Sequence, residues 1–225
     1  MKNKIKHAVI LAAGRGIRMR PLTNKIPKAM APFKGSTLIN NSIEKIKSFF
    51  ENIHVTVGYK GAILAKHVIE KNVSSIINTD GKGNSWWLYN SLLKEINEPI
   101  CVFTCDNIIE TNYISLLEEY INLKNPCCML VPTTPIKGLE GDYIFADNKN
   151  IVIKISRLEK SKIYCSGIQI LNPYSINLKT KKVDDFNDVW NQLIKIEELK
   201  ISSTLSEYWY AIDNLEQLKF INESE

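Results

Sequence analysis

Short apolar runs alternate with stretches of helical spacing through the first 130 or so residues, and this alternation constrains the fold most. HAVILA (7–12) reads as a buried strand, being continuous, apolar and brief. STLINNSIEKIKSFF follows with Ile39, Ile43, Ile46 and Phe50 near helical spacing, and Ser36 or Thr37 is placed to cap it. HVTVGY predicts a second strand, residues 61–71 a helix, SSIIN (74–78) a third strand and NSWWLYNSLLKEI a helix after a Gly-Lys-Gly turn. ICVFTCDN (100–107) predicts a fourth strand, YISLLEEYI a helix and CCMLV a fifth strand. Strand and helix in strict alternation imply a parallel sheet with helices on both faces, and ligands gather at the carboxyl ends of such strands.

The second half changes character. DYIFADNKNIVIKISR reads as a hairpin turning over Asp147–Asn150, and IYCSGIQIL as a further strand. A helix near 186–199, a short strand, WYAID and a terminal helix LEQLKFIN complete the pattern. No repeat, low-complexity tract or long linker divides the chain, so residues 1–225 are expected to form one domain. Its ligand-binding halves would be about 1–110 and 111–225. Lys2, Lys4 and Lys6 ahead of AVILAAG imitate a signal peptide, but the apolar run is short and leads into Arg15 and Arg18. No run is long enough to span a bilayer, so a cytoplasmic location is expected and no membrane partner. The five cysteines have no C-x-x-C spacing and sit in apolar surroundings, as reduced buried thiols do.

The loop after the first strand, LAAGRGIRMRPLTNKIPK (11–28), concentrates positive charge, and no acidic residue occurs before Glu44. The net charge of +5 is mild, so clustering matters more than the total. A dinucleotide fingerprint would need a third glycine where Met19 stands, and no G-x-x-x-x-G-K-[ST] loop is present. Glycines that free backbone N–H groups beside arginine and lysine make a cradle for phosphate oxygens. The basic residues occupy one small loop, and no nucleic-acid motif accompanies them.

Leu11, Ala12, Ala13, Gly14, Gly16, Arg18, Met19, Pro21, Leu22, Thr23, Pro27 and Lys28 stand in the order L-A-A-G-x-G-x-R-[LM]-x-P-L-T…P-K. This resembles the opening motif of the nucleotidyltransferases that activate sugar 1-phosphates. KGSTLINNSIEKIK, VGYKG, CSGIQILNP and WYAIDNLEQL resemble later segments of the family, and TCDNI is similar to the G-D-N-I of glucose-1-phosphate thymidylyltransferases. The resemblance implies an α/β fold, a Rossmann-like, mostly parallel but mixed sheet with helices on both faces. It also implies transfer of a nucleoside monophosphate from an NTP to a small phosphorylated acceptor, with Mg²⁺ as cofactor and release of pyrophosphate. Arg18 and Lys28 would be catalytic, Arg18 on the β/γ phosphates and Lys28 between the α-phosphate and the acceptor phosphate. Leu11, Ala12, Ala13, Gly14, Arg15 and Gly16 would bind the nucleotide. Asp106 and Asp213 would bind the metal, although Asp106 could also cap a turn and Asp213 the last helix.

DGKGNSWWLYNSLL departs from the glycine-rich segment that sugar enzymes carry after the third strand. Choline-phosphate cytidylyltransferases of the same superfamily have T-N-N-x-x-S-L there, which Asn84, Ser85, Ser91 and Leu92 loosely match. Asn84 or Ser85 is therefore expected on the base. Trp86, Trp87 and Tyr89 could form an aromatic box for an ammonium-bearing acceptor, or simply pack a helix face. Asn107, Ser166 and Gly167 are placed on the acceptor side. The expected product is an NDP-sugar for surface glycan assembly. The alternatives are a CTP-dependent cytidylyltransferase acting on phosphocholine or a related amino-phosphate, and a non-catalytic nucleotide-binding regulator. A homo-oligomer is compatible with the sequence, and no left-handed β-helix tail is expected within this length.

Overall fold

A computed structural model describes residues 5–223; Lys2 and Lys4 lie outside them. The strands are β1 (His7–Leu11), β2 (Pro32–Phe33), β3 (Ser36–Thr37), β4 (Asn52–Val57), β5 (Ser75–Asn78), β6 (Ile100–Thr104), β7 (Asn107–Glu110), β8 (Cys128–Thr133), β9 (Tyr143–Ala146), β10 (Val152–Ser156), β11 (Tyr164–Leu171), β12 (Leu199–Ile201) and β13 (Tyr208–Ala211). The helices are α1 (Leu38–Ile46), α2 (Gly61–Ile69), α3 (Trp86–Asn90), α4 (Tyr113–Asn122), α5 (Pro173–Lys179), α6 (Phe186–Lys195) and α7 (Leu215–Glu223).

Strands β6, β1, β4 and β5 lie side by side and parallel, with Leu11 opposite both Thr56 and Thr104. Their carboxyl ends therefore open on one edge of the molecule. Side chains alternate across β1: Ala8 and Ile10 pack with α1, α2 and α4, and Val9 packs with α3, α5 and α6. This places helices on both faces, as the alternation predicts. Beyond that parallel core the sheet is mainly antiparallel, with β12 running parallel to β8 as the exception. β11 inserts antiparallel against β6, and β8 pairs antiparallel with β11, so the fifth expected strand does not continue the parallel order.

Several helices are shorter than predicted, α6 among them, which ends at Lys195 rather than near residue 199. Thr37 caps α1 by accepting from the Asn40 amide, but α1 ends at Ile46, and Phe50 instead packs edge-on against Phe103 and Tyr113. The helix expected over NSWWLYNSLLKEI breaks at Ser91, which turns extended and caps a separate turn over Leu92–Glu95. β7 pairs antiparallel with β13, forming a small ribbon outside the main sheet, with Asn107 opposite Ala211. Sequence pattern alone reads residues 100–107 as one strand, whereas a tight turn at Cys105–Asp106 separates β6 from β7.

Candidate active site

The loop after β1 is pinned where it leaves the strand. The Ala12 amide donates to Thr56 Oγ1 at 3.1 Å, and the Tyr59 amide to the Ala13 carbonyl at 3.2 Å. Gly16 adopts φ +59°, a left-handed conformation that suits glycine, and its carbonyl accepts from Thr23 Oγ1 at 2.9 Å. A β-carbon at position 16 would lie 2.8 Å from Lys28 Cβ. The loop therefore folds back so that Lys28, in a single 3₁₀ turn after Pro27, points inward and is buried.

Lys28 Nζ lies 2.7 Å from Asp106 Oδ2 and 3.2 Å from Asp213 Oδ1. Arg18 reaches the same Asp213 oxygen at 2.9 Å and Glu140 at 3.3 Å. Burial alone would push the Lys28 ammonium down, but the charges of Asp106 and Asp213 outweigh it and its pKa is raised. Asp213 is not the cap of α7: Asn214 and Gln217 form a reciprocal capping pair, which leaves the Asp213 carboxylate to Lys28 and Arg18. Asp106 sits in the β6–β7 turn with its carboxylate on Lys28. The two carboxylates thus flank the Lys28 ammonium. Among the described residues no group of three or more acidic, histidine or cysteine side chains converges as a metal cage. Two carboxylates with phosphate oxygens and water complete the oxygen set that Mg²⁺ takes, so the pair fits that ion.

Two cavities meet at this point. One, of about 460 Å³, is bounded by residues 11–15 of the loop, by Thr56 and by residues 79–84. The other, of about 660 Å³, runs between Arg18 and Asp213 on one side and β9, β11 and the 139–142 segment on the other. Asn84, Thr104 and Asp106 line both. Arg18, Lys28, Asp106 and Asp213, far apart in sequence, are brought together, and Leu11, Ala12, Ala13, Gly14 and Arg15 line the first cavity. Gly16 shapes that loop from behind.

Several expected contacts are not made. Ser85 is buried, with its hydroxyl on the Val183 carbonyl, so it faces the core rather than a base. Trp87 and Tyr89 are core residues; Trp87 packs edge-on against Phe186, and the Tyr89 hydroxyl pairs with Thr180 Oγ1 at 2.9 Å. Trp86 carries Lys82 over its ring and lines neither cavity. The aromatic box expected from these three is therefore not formed, because α3 turns two of them into the sheet-facing core. Ser166 is also buried, its hydroxyl donating to the Val131 carbonyl at 2.7 Å. Asn84 lines both cavities while its Oδ1 accepts from the Phe186 amide, and Gly167 and Asn107 line the second cavity.

Other residues at the second cavity carry no role in the sequence reading. Tyr143, Tyr164, Trp190 and Trp209 form aromatic wall, and Arg157 Nε pairs with Asp142 Oδ1 at 2.7 Å among them. The run Glu140-Gly141-Asp142 was the available signal, two acids around a glycine just before β9.

A parallel α/β core with a basic glycine loop and paired carboxylates at its strand ends defines a class of phosphate-handling enzymes. The profile described as nucleotidyl transferase matches residues 7–218, and the chain belongs to that family. It is 43% identical over 203 residues to a UTP–glucose-1-phosphate uridylyltransferase of Mycoplasma genitalium, covering 72% of this chain and 67% of that protein. It is 29% identical over 233 residues to the bifunctional protein GlmU of Methanocaldococcus jannaschii, covering 95% of this chain and 54% of the relative. The chain thus spans about half the length of that relative. Its fold is shared with the CTP:phosphocholine cytidylyltransferase of Streptococcus pneumoniae, at a TM-score of 0.76 and 21% identity over 98% of this chain and 99% of that one. Among the described residues no helix is long and apolar enough to cross a membrane.

Proposed function

We propose that this nucleotidyltransferase joins a nucleoside monophosphate to a sugar 1-phosphate, in the cytoplasm, to supply an NDP-sugar for surface glycan synthesis. The observation that carries the reading is Lys28 held between Asp106 and Asp213 where the two cavities meet. An NTP occupies the cavity under the glycine loop, with its triphosphate toward Arg18 and Lys28. The acceptor lies in the larger cavity with its phosphate toward the same two cations. A phosphate oxygen of the acceptor bonds to the α-phosphorus, the bond from that phosphorus to the bridging oxygen of the β-phosphate breaks, and pyrophosphate leaves with the electron pair. The attacking oxygen is already anionic, so no base is required. The protein contributes alignment and fixed positive charge. Asp106 and Asp213 would hold Mg²⁺, which supplies further neutralisation of phosphate charge.

The Arg157–Asp142 pair beside aromatic rings supports a polyhydroxylated acceptor, since both charged groups offer hydrogen bonds to hydroxyls and the rings cover C–H faces. The same rings support a second reading, an amino-phosphate acceptor such as phosphocholine with CTP as donor. Pyrophosphate release with Mg²⁺ is the test, using each of ATP, GTP, CTP, UTP and dTTP against hexose 1-phosphates and against phosphocholine and related amino-phosphates. Turnover with a sugar phosphate is the expected result. Turnover only with CTP and an amino-phosphate would replace it with the second reading. Nucleotide binding without turnover on any acceptor would point to a regulator.

A further inference from the structure

Three segments that the sequence presents separately, TCDN, CSG and WYAID, meet on one buried carbonyl. The Ser166 carbonyl accepts from Asn107 Nδ2 at 2.9 Å and from Trp209 Nε1 at 2.9 Å. Asn107 belongs to β7 and Trp209 to β13, the two strands of the ribbon that carries the carboxylates. Asp106 directly precedes β7, Asp213 follows β13 by two residues, and the Ile212 amide donates to the Asp106 carbonyl at 2.9 Å. Ser166 belongs to β11, whose neighbours Cys165 and Gly167 line the larger cavity.

The carbonyl is aimed by the backbone around it. The pairing of β11 with β8 slips between Cys165 and Gln169, and Gly167 takes φ +90°, a conformation that L side chains rarely adopt. A β-carbon there would overlap Asn107 Nδ2 and Thr104 Oγ1. The other amide hydrogen of Asn107 goes to Thr104 Oγ1 at 2.7 Å, so both Nδ2 hydrogens are engaged by protein. Asn107 thus has no side-chain donor left for an acceptor molecule, and the Trp209 indole N–H is already engaged.

We propose that Asn107 and Trp209 are positioning residues that dock the carboxylate ribbon onto β11 and so fix Asp106 and Asp213 relative to the acceptor. The inference rests on the reading of those two aspartates as metal ligands. Both donors end on one atom, so the first lost leaves the carbonyl satisfied by the other, and losing both strands a buried acceptor. The rest of the ribbon is held by Ile109 and Trp209 in the core and by Lys45 Nζ on the Ile109 carbonyl, while the Ser166 carbonyl ties down the end next to Asp106.

The test uses the whole chain with Asn107→Leu, Trp209→Phe and the double variant. Phenylalanine keeps an aromatic wall and removes only the indole donor. Mn²⁺ affinity is read by electron paramagnetic resonance with inorganic pyrophosphate present, beside kcat, acceptor KM and Tm. Each single variant is expected to weaken Mn²⁺ binding by no more than about threefold, since the carbonyl keeps one donor, and the double variant to lower kcat more than it raises acceptor KM. The double variant should exceed the product of the two single effects. Wild-type Mn²⁺ affinity in the double variant, with Tm lowered, would make the two residues merely structural and overturn the inference. Asp106→Asn is the control: if it leaves Mn²⁺ affinity intact, the metal-ligand reading itself falls, and this inference with it.

Discussion

Replacing Lys28 by methionine keeps the aliphatic stem and removes only the ammonium. Lys28 is 8% exposed, and it is the counter-charge of two carboxylates at 2.7 and 3.2 Å. Removing one member of a buried ion pair costs about 3–5 kcal/mol. Asp106 and Asp213 keep 30% and 20% of their side-chain surface exposed, so water re-enters and about 2 kcal/mol is the expected loss. For a domain of this size about 1 kcal/mol moves Tm by about 2–4 °C, so a circular-dichroism melt should fall by about 4–8 °C. The rate should fall much further than the stability. Loss of one preorganised charge-stabilising group costs about 10²–10³ in kcat, and pyrophosphate release under saturating substrates reads it. A Lys28→Met protein that turned over within threefold of wild type would refute the reasoning, whatever its Tm.

Three further outcomes follow from the same structure. Gly16→Ala places a left-handed alanine against Lys28 Cβ; strain of about 1–2 kcal/mol is expected in urea unfolding, with a larger proportional loss of kcat because Lys28 must shift. Tyr89→Phe removes a bond to Thr180 inside the core; stability should fall by about 1 kcal/mol while acceptor KM stays at the wild-type value, and a raised KM would restore Tyr89 to the site. Burial, with a smaller contribution from the charge of His7, lowers the pKa of His54 from 6.5 to about 4. The unfolded chain therefore binds this proton first as pH falls, so stability should drop from pH 6.5 downward and level off below about 4, and His54→Gln should flatten that slope in urea unfolding across pH.

The parallel half of the fold was legible because each strand and helix announces itself locally. Val9 and Ile10 can be assigned to opposite faces from strand periodicity, and the motif around Arg18 and Lys28 is dense enough to single out the loop that the structure brings to Asp106 and Asp213. Asp106 was legible because it ends an apolar strand. The antiparallel insertion of β11 was not, since its pairing depends on which neighbour a distant strand reaches first. The ribbon of β7 and β13 was hidden for the same reason: Asn107 and Ala211 are paired across more than 100 residues. Ser85, Trp87 and Tyr89 misled because a short amphipathic segment does not say which face meets the core. The α3 segment is anchored by Asp184, whose carbonyl accepts from the Ser85 amide, a contact with no local signature. The aromatic wall of the larger cavity was missed because Tyr143, Tyr164, Trp190 and Trp209 become neighbours only through the hairpin, β11, α6 and the ribbon.

The central claim is that nucleotidyl transfer occurs at the point where Lys28, Asp106 and Asp213 converge. Phosphorus NMR of a reaction containing the productive NTP, its acceptor and Mg²⁺ tests it most directly, run with wild-type protein and with Asp106→Asn. The account predicts that wild type yields pyrophosphate and a diphosphate-bridged product together, and that the variant yields neither at a comparable rate. Equal formation of both by Asp106→Asn would contradict it.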